Sequence, residues 1–349
     1  MRFRKIVVSD QPSSDRSNPR VSIVVLNWNG RDMTVDCLHS LLALSDVQFR
    51  ITVVDNGSSD NSTEAIRQQF PDVQIIANKH NLGFAAGCNV GMEQALTEQG
   101  CDYILLVNND TILDTGLLAE LVREADQNPK IAICSPKIFY YDPSDLLWWA
   151  GGTYSLWTGM AVHTGRRQKD EGQYDGVRDL DWATGCVMLL RVKALREVGL
   201  FDAKIFANSE DVDLSLRVRE AGYLIRYIPT ALVWHREGVD LRKNVGERLR
   251  FFMFMRNTLW VMHKHARFYH WFTCWPALLG FYIPRTMIAR IRRRDFSSCW
   301  GMLCGVGAFW RMLLFPEIST LPDAFGAPRQ FANEVRVLEP NTRMAPRLK

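Results

Sequence analysis

Along the first 130 positions apolar residues fall in short unbroken runs, each closed by a polar turn and followed by apolar residues at helical spacing. The runs VSIVVLN (21–27), ITVVD (51–55), VQIIA (73–77) and YILLVN (103–108) are rich in β-branched residues and lack alternation. Such runs predict strands buried on both faces. The intervening apolar spacing predicts helices over 34–44, through 66–70, in the second half of NLGFAAGCNVGMEQALTEQ (81–99), and over 114–126. Strand alternating with helix at this pitch predicts βαβ units and an α/β fold with a mostly parallel sheet. After 130 the pieces become less regular: IAICSPKIFYY, LLWWAGGTYSLWTG and a polar stretch at 165–180. CVMLLRV (186–192) resumes a strand pattern, 193–199 and 211–221 read as helices, and YLIRYIP and TALVWH as two further strand-like pieces.

From about 246 the pattern is helical and aromatic. Two apolar stretches stand out, 271–284 and 296–315. The first is shorter than the roughly 20 residues a spanning helix needs and contains Pro276; the second reaches that length only by including Arg311. Amphipathic helices in a membrane interface suit the abundant Trp and Tyr, with RIRRR (290–294) facing anionic headgroups. A helical region packed on the preceding body is the alternative. The organisation predicted is a flexible lead-in (1–19), an α/β domain (20–245), a helical membrane-associating region (246–315) and a tail (316–349).

Charge sharpens this division. Residues 1–240 carry 24 Lys and Arg against 32 Asp and Glu, whereas 241–349 carry 18 against 6. An acidic body with a basic tail implies two surfaces with different partners, and no nucleic-acid-binding stripe is predicted. The eight cysteines form no CxxC pair, so they read as reduced thiols of a cytosolic protein. The start, MRFRKIVVSDQPSSDRSNPR, has no apolar core of signal-peptide length.

The candidate chemistry sits where strands end. Asp55 closes ITVVD, Asp110 follows YILLVNN, Glu210 and Asp211 open the helix of NSEDVDLSLR, and His235 closes ALVWH. In open α/β sheets the ligand crevice lies at the carboxyl ends of the strands, so these groups can converge. Asp110 suits a divalent cation, Mg²⁺ or Mn²⁺, that bridges a diphosphate; its alternative is a helix cap shared with Asn109 and Thr111. For Asp55 the alternatives are a nucleoside contact or a turn. Adjacent carboxylates on a helix point differently, so at most one of Glu210 and Asp211 serves as a general base. A strand-end His235 is read as structural unless the acidic groups join it. Arg256 and Asn257 are read as packing in preference to an acceptor-phosphate contact.

Together VSIVVLNWNG, ITVVDNGSSDNS, NLGFAAGCNVG, YILLVNNDT, WATGCVMLLRVKALREVGLFD, SEDVDLSLRVREAGY and IPTALVWH resemble the family 2 inverting glycosyltransferases, particularly their bacterial rhamnosyltransferase-like branch, over about 21–240. The resemblance implies a Rossmann-like GT-A nucleotide-binding domain. It implies that Asn27, Asn29 and Asp55 hold the nucleoside, and that Gly83, Asn89, Asn109 and Asp110 lie along the donor. Trp182 and Gly185 would line the sugar and acceptor pocket. Asp211 matches the base, with Glu210 beside it, and Asp110 and His235 match the metal site. Asn108 and Asn109 stand where the fullest metal motif has further carboxylates. The implied reaction is a single displacement from a nucleoside-diphosphate sugar, with dTDP-rhamnose preferred over UDP-galactofuranose or a UDP-N-acetylhexosamine. The implied acceptor is a glycan or polyprenyl-linked glycan at the cytoplasmic face of a bacterial inner membrane. A nucleotidyltransferase is disfavoured because NWNGRDMT offers only Gly30 and Arg31 after the first strand. An inactive membrane-bound scaffold predicts loss of Asp110 or Asp211, and both are present.

Overall fold

A computed structural model describes residues 20–237 and 241–315; the lead-in and the tail predicted above lie outside the described residues. The first half alternates as its hydrophobic pattern predicts: β1 (Arg20–Asn27), α1 (Arg31–Leu42), β2 (Phe49–Asp55), α2 (Ser62–Gln69), β3 (Gln74–Ala77), α3 (Phe84–Thr97), β4 (Cys101–Asn108). A short β5 (Thr111–Leu113) precedes α4 (Leu117–Gln127) and the long β6 (Ile131–Tyr140). The less regular stretch holds β7 (Leu147–Trp149), β8 (Gly152–Ser155), β9 (Met160–His163) and β10 (Arg178–Asp179). Then come β11 (Val187–Arg191), α5 (Val192–Val198), α6 (Glu210–Glu220) and β12 (Leu224–His235).

The main sheet runs β10-β12-β6-β11-β4-β1-β2-β3. Parallel pairing joins β3, β2, β1 and β4 on one side and β6 with β12 on the other. Between the two groups lies β11, antiparallel to both β4 and β6. Two reversals leave β4 and β6 pointing the same way, so the sheet is mixed but mostly parallel. The chain leaves β1 toward β2 and β3, then returns to β4 on the other side. That reversal of strand order opens a crevice at the carboxyl ends of β1 and β4. Ile23, Val25, Val53, Ile104 and Leu105 are buried as double-sided strands require. The pieces 223–229 and 230–235 form one strand, β12, whose pairing with β6 shifts register between Ile228 and Leu232. Pro229 sits in that shift, where its missing N–H breaks no ladder bond.

The helical region is α7 (Leu241–His265), which changes direction at Gly246, then α8 (Trp271–Trp275), a π-helical stretch Pro276–Tyr282, α9 (Ile283–Arg292) and α10 (Phe296–Leu314). Gly301 and Gly305 of α10 face the carbonyl oxygens of Arg248 and Phe252, where a Cβ would collide. The two helices therefore pack nearly backbone to backbone. The opposite stripe of α10, including Phe296, Trp300, Leu303, Trp310 and Leu314, is exposed. Among the described residues no helix is long and apolar enough to cross a membrane.

Candidate active site at the carboxyl edge of the sheet

Asn27 ends β1 fully buried, and its amide organises the first corner. Its Nδ2 donates to Asp55 Oδ1 at 2.8 Å and to Ser58 Oγ at 3.2 Å. Its Oδ1 accepts from Gly30 N, Thr34 Oγ1 (2.8 Å) and Asn109 Nδ2 (3.2 Å). Asp55 Oδ2 accepts from Ser58 N at 3.0 Å, so the turn role expected for an aspartate in this cluster is real. Asn29 takes a left-handed backbone, φ 52°, and its Oδ1 accepts from Ser59 N at 2.8 Å. Neighbouring Asn56 donates to Asn81 Oδ1 and the Gly83 carbonyl and accepts from Leu82 N. This corner is a closed polar network that joins the ends of β1, β2 and β4.

Gly83 begins the next wall at φ 86°, with the Phe206 ring where a Cβ would stand. Asn89 lies one turn inside α3, and its amide exchanges two hydrogen bonds with the Phe201 backbone, at 2.9 and 3.1 Å. It ties α3 to the segment that follows α5.

Asp110 is no helix cap: β5 separates it from α4, where Asp114 Oδ1 takes the Gly116 N–H. Because Thr111 pairs with His235 across β5 and β12, Asp110 Oδ2 comes within 3.2 Å of His235 Nε2. Burial works against the Asp110 charge, yet His235, with Arg236 nearby, holds its carboxyl below the usual range. Burial likewise opposes the His235 cation, but Cys186 and Asp110 raise its pKa well above the ordinary imidazole value. Asp110 Oδ1 and His235 Nδ1 are buried without a hydrogen-bond partner, a feature accounted for by strain, a catalytic role, or a water or ion at the site. Among the described residues no group of three or more His, Cys, Asp or Glu side chains is arranged to hold a metal ion. One carboxylate and one imidazole would be a partial set of ligands for a divalent cation.

The other side of the crevice comes from α6 and the turn before β11. Asp211 Oδ2 accepts from Gly185 N at 2.9 Å and Oδ1 from Val212 N at 2.8 Å. Burial pushes its carboxyl up to about 6, against the pull of those two N–H groups. Glu210 faces away from it, buried, with Oε2 unpartnered; burial and the charge of Asp211 push its carboxyl well up. Before α6 the chain holds three non-glycine residues at positive φ, namely Phe206 (65°), Asn208 (68°) and Ser209 (79°). Such conformations cost about 1–3 kcal/mol each and persist only where surrounding contacts enforce them. Arg256 and Asn257 of α7 lie beneath this segment, both buried and bonded to its carbonyl oxygens.

Trp182 is buried and donates to the Thr153 carbonyl at 3.1 Å. It belongs to an aromatic cluster that the sequence did not suggest. The His163 ring lies 5.2 Å from Trp182, 5.0 Å from Trp149 and 5.3 Å from Trp148, and Trp148 lies 4.5 Å from His235. Burial pulls the His163 imidazole down to about 4, so it is neutral near pH 7. WWAGG was the only available signal, since the small strands that carry it gather rings from positions far apart. Asn27, Asp55, Asp110, Gly185, Asp211 and His235 thus line one edge, whereas half-buried Asn89 bonds the Phe201 backbone and Glu210 is buried.

Comparison with known proteins bears on the family and the fold. The profile described as glycosyl transferase family 2 matches residues 22–199. An N-acetylglucosaminyl-diphospho-decaprenol L-rhamnosyltransferase of Mycobacterium tuberculosis is 27% identical over 232 residues, which are 61% of this chain and 74% of that protein. A poly-beta-1,6-N-acetyl-D-glucosamine synthase of Staphylococcus epidermidis is 25% identical over 61% of this chain, which spans about half (49%) of its length. Among solved structures, GalNAc-T7 with UDP, GalNAc and Mn²⁺ superposes with a TM-score of 0.52 at 15% identity, over 63% of this chain and 44% of that one. At that identity the likeness speaks for the fold alone.

Proposed function

For a chain that belongs to glycosyl transferase family 2, and is therefore a glycosyltransferase with a GT-A-like fold, we propose inverting transfer of rhamnose from dTDP-rhamnose. The acceptor is a hydroxyl of a polyprenyl-diphosphate-linked N-acetylglucosamine. The observation that carries the reaction type is Asp211, a carboxylate held by the Gly185 N–H at 2.9 Å on the crevice edge that also bears Asp110 and His235. The similarity to the mycobacterial rhamnosyltransferase supports the donor and acceptor. The synthase similarity supports a second reading, an N-acetylhexosaminyl transfer from a UDP-sugar.

In this reading Asp211 is ionised before reaction, accepts the proton of the acceptor hydroxyl, and so lets that oxygen attack the anomeric carbon. The Gly185 N–H fixes the carboxylate while Oδ1 stays tied to its own helical turn, so the base does not swing away. The Asn27–Asp55–Ser58 corner holds the nucleoside, and Trp182 lines the sugar pocket. Asp110 and His235 would hold a divalent cation. Such an ion, when bound, offsets charge on the departing diphosphate.

The apolar stripe of α10, flanked by exposed Arg292, Arg293 and Arg294, supports peripheral attachment to an anionic membrane, where a polyprenyl acceptor resides. The test is proton NMR of the product formed from dTDP-rhamnose and N-acetylglucosaminyl-diphospho-polyprenol. An inverted anomeric centre is expected. A retained configuration contradicts the single displacement, and transfer from a UDP-N-acetylhexosamine alone favours the second reading.

A further inference from the structure

We propose that Asn257, oriented by Arg256, is a positioning residue for transfer, holding the left-handed segment 205–209 that aims Asp211. The proposal rests on reading Asp211 as the base.

Asn257 is buried in α7, and its Nδ2 donates toward three backbone carbonyls of one short segment: Ile205 (3.1 Å), Ala207 (2.7 Å) and Asn208 (2.7 Å). Arg256 Nε donates to Asn257 Oδ1 at 2.8 Å, which fixes the amide with its nitrogen toward the segment. The Arg256 guanidinium reaches the Ile205 carbonyl at 2.7 Å and the Lys204 carbonyl at 3.3 Å, and its Nη1 has no hydrogen-bond partner. Its hydrogen bonds go to carbonyls and an amide, not to a carboxylate. A buried guanidinium satisfied this way is a poor solution for packing, since an apolar side chain avoids the desolvation. It is a good solution for gathering carbonyls that a strained backbone turns away from the sheet.

The opposite side of the same segment faces the donor wall. The Phe206 carbonyl accepts from Ala85 N at 2.9 Å, and the Phe206 ring rests on Gly83. Two residues past Asp211, Asp213 is buried and receives Lys264 Nζ at 2.6 Å and His265 Nε2 at 3.0 Å, both from the end of α7. The helix thus grips the base on both flanks. The C-terminal region is accordingly part of the catalytic machinery, so cutting near 245 removes more than an attachment to membranes.

The experiment uses the full chain with dTDP-rhamnose and N-acetylglucosaminyl-diphospho-polyprenol. Asn257→Ala is expected to lower kcat by up to about 100-fold, the scale of a small misplacement of a reacting group. The KM for dTDP-rhamnose and the affinity for dTDP stay within about twofold, since the nucleoside corner is untouched. Adding Ser209→Gly to Asn257→Ala restores part of kcat, because glycine takes the left-handed backbone without steric penalty and the Ser209 side chain makes no cap hydrogen bond. Wild-type kcat in folded Asn257→Ala overturns the proposal. So does a parallel fall of kcat and dTDP affinity that Ser209→Gly leaves unrelieved. If Asn257→Ala does not fold, Asn257→Ser, which keeps one donor, is read by the same criteria. Asp211→Asn, assayed alongside, separates the two ideas. Transfer surviving in Asp211→Asn removes the base reading, whereas an inactive Asp211→Asn beside a fully active Asn257→Ala removes only the positioning role.

Discussion

The two halves of the crevice are built on different physical plans. The half proposed to hold the nucleoside, from β1 through Asn109, is held by amides, hydroxyls and the Asp55 carboxylate that satisfy one another: Asn27 with Asp55, Thr34 and Asn109, and Asn56 with Asn81 and Leu82. The other half is held by contacts that bring in β12, α6 and α7. Gly185 reaches Asp211, His235 reaches Asp110, and Asn257 reaches the 205–208 carbonyls. It also carries unsatisfied buried atoms on Asp110, Glu210 and His235. A fully satisfied network rigidifies, whereas unsatisfied groups raise the energy of the resting state and await a partner. The nucleoside half is a mould and the base half a loaded device.

The largest expected effect that tests this contrast is Asp211→Asn. If the base half alone performs the proton transfer, turnover falls by about 10²–10⁴-fold while dTDP affinity, set by the other half, is unchanged in a fluorescence titration. Next comes the seam between the halves. Gly83→Ala places a side chain at φ 86° against the Phe206 ring. It should lower unfolding free energy by about 2–5 kcal/mol in a urea melt, combining backbone strain with overpacking. An unchanged midpoint means the seam is looser than described.

The mildest test is pH. Asp211 acts ionised, so kcat/KM, which reports the free protein, should rise with pH through about 6 and then level off. Stability moves the other way. A carboxyl raised by burial keeps its proton in the folded state at pH values where the unfolded chain, with an ordinary carboxylate pKa of about 4, has lost it. Its contribution is therefore fully present below the unfolded value and is lost as pH rises through about 6. Opposite slopes of activity and of the Asp211-dependent part of stability, taken against Asp211→Asn, are the expected signature. Parallel slopes contradict the assignment.

The same contrast explains what the sequence made legible. Strands β1, β2 and β4 announced themselves as unbroken β-branched runs, and Asn27, Asp55 and Asp110 stand at or just past their ends. Local pattern sufficed there because each residue stands at or just past the end of its own strand. For β11, four apolar residues and Arg191, nothing in the pattern tells that it enters antiparallel between two parallel groups. Pro229 disguised one strand as two pieces. Asn89 looked like a donor contact and instead bonds the Phe201 backbone. His163, set among Trp148, Trp149 and Trp182 by small strands, had no sequence context. Asn257 read as packing because its acceptors are backbone atoms about fifty residues away, which no side-chain pattern encodes.

The most direct test of a nucleotide-sugar site at this edge is titration calorimetry of dTDP into the full chain and into Asp110→Ala, each with and without Mn²⁺. The account predicts dTDP binding that Mn²⁺ strengthens in the wild type and not in Asp110→Ala. Failure of dTDP, UDP and GDP alike to bind contradicts it, and equal Mn²⁺ enhancement in both proteins removes Asp110 from the cation site.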